Sequence, residues 1–413
     1  MYSKTFYNIY WAISLLLTHV GVTSIHFDRN KRICYITNKS RKKCLTLCWT
    51  STIFALHGTS KSIYMLKYEG GYANKDFLIA YSFAFIEILM CGGLILVNLR
   101  QDDIVTAFNW FLNYVRQFQR NWIPKWNPSK ESLSLFMTFQ LGSQLLFLGI
   151  LAPLSATVFY ILFPATPIFM HGRLTELGFI YINVQRVNGT WLEIGMDWTI
   201  YLVDMWLVTL GGQMGFYGLL NLLAVGSVYI FTTWMFLLEM RGPGKHRNNR
   251  YVYKSSNDFR RVDFLSHEIR CLQLMQKELT KIVGVAIVVL HGAFSQLCLY
   301  CNFVVIKNWN HIPKFTSIAL GSWSLMIQII WAWILEICGR YNAESKKTLD
   351  SWKFLEHRGK EEKKLMSKVR KSCRPFSFGE KGIFVIKRMT VLKFLRGIVK
   401  GTFRALLTLG RGR

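Results

Sequence analysis

Apolar residues in this chain are gathered into blocks of bilayer length, separated by polar and mostly basic stretches. The blocks are Cys44–Leu66, Phe77–Leu99, Leu133–Phe163, Trp198–Leu238, Lys281–Ile306, Phe315–Cys338 and 383–409. Because roughly 20 consecutive apolar residues carry a helix across a hydrocarbon core, the pattern predicts an all-α polytopic membrane protein with seven transmembrane helices. The fourth block exceeds one crossing. A hairpin at Gly211-Gly212 would export the basic loop that follows, so the block reads as one long, tilted helix running past the membrane. Upstream, Phe6–Ile25 follows Lys4 with the charged-then-apolar layout of a signal peptide, but no small-residue cleavage site follows it. It reads as a lead-in helix, partly inserted or lying at the interface.

The last block differs from the others. Lys393, Arg396, Lys400 and Arg404 fall on one face of a helix. Each central Lys or Arg costs about 2.5–3.5 kcal/mol on an insertion scale, whereas each Leu, Ile, Val or Phe returns about 0.3–0.6, so the apolar residues recover roughly half of the cost. The stripe therefore either lines a water-filled space in a larger assembly or lies on an anionic surface.

Charge then orients the blocks. The net charge of +28 over 413 residues would suit a nucleic-acid binder, but its distribution excludes that class. Lys and Arg number 8 before the first block, 5 in 100–131, 9 in 239–280 and 13 in 339–382, against 2 each in 67–76, 164–197 and 307–314. The alternation, 35 against 6, is that of a chain with its N-terminus inside and its C-terminus outside. The resulting organisation is a cytosolic segment with the lead-in helix (1–43), helices one to four (44–238), a cytosolic linker (239–280), helices five and six (281–338), a second linker (339–382) and the basic-striped helix with its tail (383–413). Leu265, Ile269, Leu272 and Leu279 in the first linker, and Leu349, Trp352, Leu355, Leu365 and Val369 in the second, recur at helical spacing. They fit either solvated amphipathic linkers or a cytosolic bundle that extends the membrane core. The sequon Asn188-Gly189-Thr190 falls outside and is the expected glycosylation site, whereas Asn38-Lys39-Ser40 falls inside.

Candidate chemistry is sparse. The nine cysteines fall in membrane or cytosolic segments, which leaves no extracellular disulfide, and Cys298-Leu-Tyr-Cys301 sits within an apolar helix. No histidine cluster, phosphate loop or nucleophile elbow is present, so neither an enzyme, a metal site nor a cofactor is expected. Two acids, Glu87 and Asp204, lie inside spans and need a partner, a cavity or a proton. Aromatic residues gather in the outer halves of the spans, and Tyr81, Phe83, Phe159, Tyr160, Tyr201, Trp206 and Trp323, with Asp204, are the candidate lining of an apolar ligand pocket. Terminal members such as Phe77, Trp198 and Phe315 read better as an interfacial belt.

One stretch has a likeness. Cys373-Arg-Pro-Phe-Ser-Phe-Gly379, then Phe384-Val-Ile386, Lys387-Arg388, Phe394 and Thr402-Phe403 are similar to the cysteine-containing linker and last helix of the arthropod gustatory and odorant receptor superfamily, seven-transmembrane chemosensory ligand-gated channels. Cys373, Pro375, Phe376, Thr402 and Phe403 carry the motif. The architecture resembles the family over most of the chain, including the long fourth helix and the cytosolic extensions. The chain departs from the gustatory pattern where Arg404 interrupts the terminal apolar run and where Leu409-Gly410 replace Gln-Phe. The resemblance implies a plasma-membrane homo- or hetero-tetramer whose last helices surround a pore, opened by a small organic ligand in the outer half of each bundle. Lys393, Arg396, Lys400 and Arg404 would then face the pore, although cationic rings favour anions where the family conducts cations. A G-protein-coupled receptor would need the reverse orientation, and a secondary transporter would use the buried acids.

Overall fold

A computed structural model describes residues 2–71, 74–125, 132–151, 154, 199, 217–218, 220–221, 223–242, 253–307, 309–310 and 314–409. The chain is mostly helical. In order run α1 (Lys4–Val20), a ribbon of β1 (Ile25–Asp28) and β2 (Ile33–Ile36), α2 (Asn38–Tyr68), α3 (Lys75–Trp122) and α4 (Ser132–Leu146), which ends in a π turn at Phe147–Leu151. Then come α5 (Leu223–Glu239), α6 (Val262–Lys307), α7 (Lys314–Ser351), α8 (Lys360–Ser372), a second ribbon of β3 (Gly379–Glu380) and β4 (Phe384–Val385), and α9 (Thr390–Leu409).

Four helices among the described residues are long and apolar enough to cross a membrane: Ala80–Trp122, Ser134–Leu151, Val262–Lys307 and Leu320–Phe354. They correspond to the second, third, fifth and sixth expected crossings. The first block lies in α2, where Ser, Thr, Lys and His dilute the apolar residues. Most of the fourth lies outside the described residues, α5 being its C-terminal part. The outer faces of these helices carry exposed Trp49, Ile53, Ile88, Phe139, Val289 and Ile329, an apolar surface that hydrocarbon solvates and water does not.

The lead-in helix packs one face into the protein core. α1 starts on Ser3, whose Oγ accepts the Phe6 N–H, and stops at Gly21 with φ +95°. Phe6, Tyr10, Ile13 and Leu17, one face of the helix, are buried in the main core, and Tyr2 and Thr232 of α5 share a 2.7 Å hydroxyl hydrogen bond. The reason is downstream in sequence. The β1–β2 ribbon folds back on α1, bringing Phe27 against Tyr10. α3 then holds the edge of β2 through Asn109, whose side chain imitates a strand: Oδ1 accepts from the Cys34 N–H at 2.7 Å and Nδ2 donates to the Cys34 carbonyl at 2.8 Å. At the ribbon's tip Asp28 accepts N–H groups of Lys31 and Asn30, which hold its carboxyl below the ordinary value.

α6 has 46 residues, roughly 70 Å of helix, about twice the hydrocarbon thickness. It is therefore longer than a single crossing needs. Its first third packs with the C-terminal ends of α3, α5 and α7 around Phe118, Phe236, Phe259 and Trp352, all fully buried. Several polar groups in this bundle are paired: Tyr114 Oη and Trp122 Nε1 donate to Glu268, the Lys254 and Ser255 N–H groups to Glu239, and Trp352 Nε1 to the Met240 carbonyl. Leu265, Ile269, Leu272 and Val369 lie inside it, whereas Leu365 is exposed.

Candidate functional site

The linker of residues 373–389 is laid across α6 and α7 by side chains that grip its backbone. Gln273 donates to the Arg374 carbonyl at 3.2 Å, Asn342 to that of Phe376 at 2.7 Å and Gln276 to that of Ser377 at 2.9 Å, while the Phe376 N–H donates to Ser345 Oγ at 2.9 Å. Phe376 stacks on Tyr341, and Phe378 meets both Tyr341 and Tyr229. Cys373 is buried, and burial pushes its thiol up from the ordinary value, so it stays protonated and packs. Pro375 is exposed. Cys373 and Phe376 thus anchor the linker.

The apolar run that begins at Ile383 does not begin a helix. Gly379 and Gly382 take φ of +105° and +88°, the chain reverses between β3 and β4, and α9 starts only at Thr390, whose Oγ1 accepts the Lys387 N–H. β4 sets Phe384 flat on His291 of α6, centroids 4.2 Å apart, and Trp331 Nε1 of α7 donates to the His291 Nδ1 at 3.0 Å. Gly339 of α7 completes the seat: a Cβ there would stand 3.0 Å from the Arg388 Cα and the Lys387 oxygen.

α9 leaves this seat with two opposite characters. Phe394, Ile398 and Thr402 face α6 and α7 and are buried. Lys393, Arg396, Lys400 and Arg404 are all exposed on the far side, and none has an ion-pair partner among the described residues. Beside them runs a second exposed row, Leu392, Val399, Phe403 and Leu407. Thr402 and Phe403, adjacent in the motif, therefore point to opposite environments.

Of the expected pocket residues, Tyr81, Phe83 and Trp323 are brought together. They belong to a second apolar cluster formed by α2, α3, α6, α7 and α9, where Tyr81 meets Tyr300 at 4.5 Å and Phe83 meets Trp323 edge to face at 5.2 Å. Phe77, expected in a belt, is buried in this cluster because α3 begins beneath Met65 of α2 rather than at a free edge. Phe159, Tyr160, Tyr201, Asp204, Trp206 and the sequon Asn188 lie outside the described residues. Glu87 sits against Gly58 of α2, whose missing side chain makes room for it, and its Oε2 is buried without a hydrogen-bond partner among the described residues.

A polar chain next to the cluster escaped the sequence reading. Ser324 Oγ donates to Asn302 Oδ1 at 2.6 Å and accepts from Gln328 Nε2 at 2.9 Å. An isolated Asn and Gln inside two apolar blocks were the available signal. Among the described residues no group of His, Cys, Asp and Glu could hold a metal ion. No family model matches the chain, and no curated protein matches it.

Proposed function

We infer that this chain is a chemosensory receptor subunit, a seven-helix ligand-gated ion channel of the plasma membrane that assembles as a tetramer and opens on binding a small organic molecule. The observation that carries this reading is the outer face of α9. Unpaired cations cannot face hydrocarbon, yet α9 is packed along α6 and α7 as the last member of the bundle, so its basic face needs an aqueous space that further subunits would enclose. The parallel row of exposed Leu392, Val399, Phe403 and Leu407 supplies an apolar seam for those subunits. The linker with its buried Cys373 and Phe376, similar to that of arthropod gustatory and odorant receptors, supports the same reading. The ligand is assigned to the outer half, around Tyr81, Phe83 and Trp323 with the aromatic residues of the third and fourth spans. A secondary transporter is the second reading, favoured by the Glu87 carboxylate oxygen that is buried without a hydrogen-bond partner among the described residues.

Cysteines placed at 393, 396, 400 and 404 test the pore. Eight of the native cysteines are buried and Cys271 is half-buried, so the background is quiet. The introduced thiols should react with a water-soluble reagent in the opened channel, and Arg404→Glu should shift ion selectivity because it reverses the sign of one ring. Unreactive cysteines with unchanged selectivity would refute the pore.

A further inference from the structure

Beside the foot of α9 lies an open groove of about 900 Å³, within the range of ligand sites. Its two ends differ in chemistry. The end towards the 239–280 and 339–382 segments, the side that carries most of the basic residues, is rimmed by Lys346, Lys387, Arg388 and Lys393. All four side chains are exposed, and none is in an ion pair with a described residue. Among the described residues, no Asp or Glu lines the groove. The other end runs along Leu299, Phe394 and Ile398 into the apolar part of the bundle, and Ile383, 73% exposed, stands at its edge.

A concave site with cations at the cytosolic membrane boundary and an apolar floor leading inward has the polarity of one leaflet of a lipid bilayer. A soluble anion would leave the floor unused, and a neutral lipid would leave the cations uncompensated. We propose that this groove binds an anionic phospholipid of the cytosolic leaflet, its head group on Lys346, Lys387, Arg388 and Lys393 and its acyl chain along Leu299 and Ile398. The occupant would touch α6, α7, the linker and α9 together, so its binding bears on the position of α9 relative to the bundle. The proposal rests on the groove and on the cytosolic placement of 239–280 and 339–382, and does not require the chain to be a channel.

The test uses the full-length protein in a neutral detergent and measures its affinity for dioctanoyl phosphatidylserine, dioctanoyl phosphatidylcholine and water-soluble glycerophosphoserine. Phosphatidylserine should bind at least about tenfold more tightly than either other probe. Replacing Lys346, Lys387, Arg388 and Lys393 together by Gln should abolish that preference. The same number of exposed lysines on α8, Lys360, Lys363, Lys364 and Lys368, changed to Gln, should preserve it, which separates the site from net charge. Ile383→Ser should weaken the lipid and leave glycerophosphoserine unchanged. Equal affinity for the two lipids, equal affinity for phosphatidylserine and glycerophosphoserine, or an undiminished preference in the groove variant at an unchanged melting temperature each overturns the proposal.

Discussion

Gly379 and Gly382 share a left-handed backbone but not a neighbourhood, which separates two causes of glycine's presence. At Gly382 a Cβ would meet open space, whereas at Gly379 it would overlap the Phe384 carbonyl oxygen. Gly382→Ala should therefore cost only backbone strain, on the order of 1 kcal/mol. Gly379→Ala must also push β4 away from β3, and with it Phe384 off His291. Its thermal midpoint in detergent should fall clearly further than that of Gly382→Ala; equal shifts would mean that the ribbon does not position α9. At this scale the sequence showed charged residues more readily than packed ones. The basic stripe was visible because four cations at helical spacing violate the composition of a span. Asn302, Ser324 and Gln328 were not, because a hydrogen bond between α6 and α7 depends on the rotation of both helices, which no single periodicity encodes.

The elements themselves were largely legible, and the exceptions have a common cause. Long apolar blocks specify helices regardless of context, as in α3, α6 and α7. Residues 383–389 look the same to an apolar count, yet Gly379 and Gly382 turn them into a ribbon. Phe6–Ile25 has the charged-then-apolar layout of a leader, and the ribbon after it supplies a partner surface for one face of its helix. That ribbon depends on α3 through Asn109, which replaces a missing strand for Cys34. Asn109→Ala should leave both backbone groups of Cys34 unsatisfied, at about 1–3 kcal/mol, and should speed proteolytic nicking between residues 25 and 36. Asn113→Ala, one turn on and exposed, should do neither. If both variants behave alike, the ribbon is held by its aromatic contacts with α1 instead.

For the molecule as a whole, orientation decides what every other feature can do. The groove rim and the basic linkers face an anionic leaflet only if 239–280 and 339–382 are cytosolic, and the outer aromatic cluster meets an external ligand only in the same orientation. Four helices among the described residues fit a crossing by length and composition, and an even number alone would return the chain to its starting side. The odd number needed to place the C-terminus outside comes from α2, the fourth block and α9, each of which falls short of that test for its own reason: diluted apolarity, lack of description over most of its length, and a basic face. In intact cells, a tag after Arg413 should bind antibody without permeabilisation, a tag before Met1 should not, and Asn188→Gln should remove an endoglycosidase-sensitive shift that Asn38→Gln leaves in place. Both tags on one side would take α9 out of the membrane, leaving its cations on a lipid surface and the pore without a lining, whereas a glycan on Asn38 would turn the molecule over and put the groove in the outer leaflet.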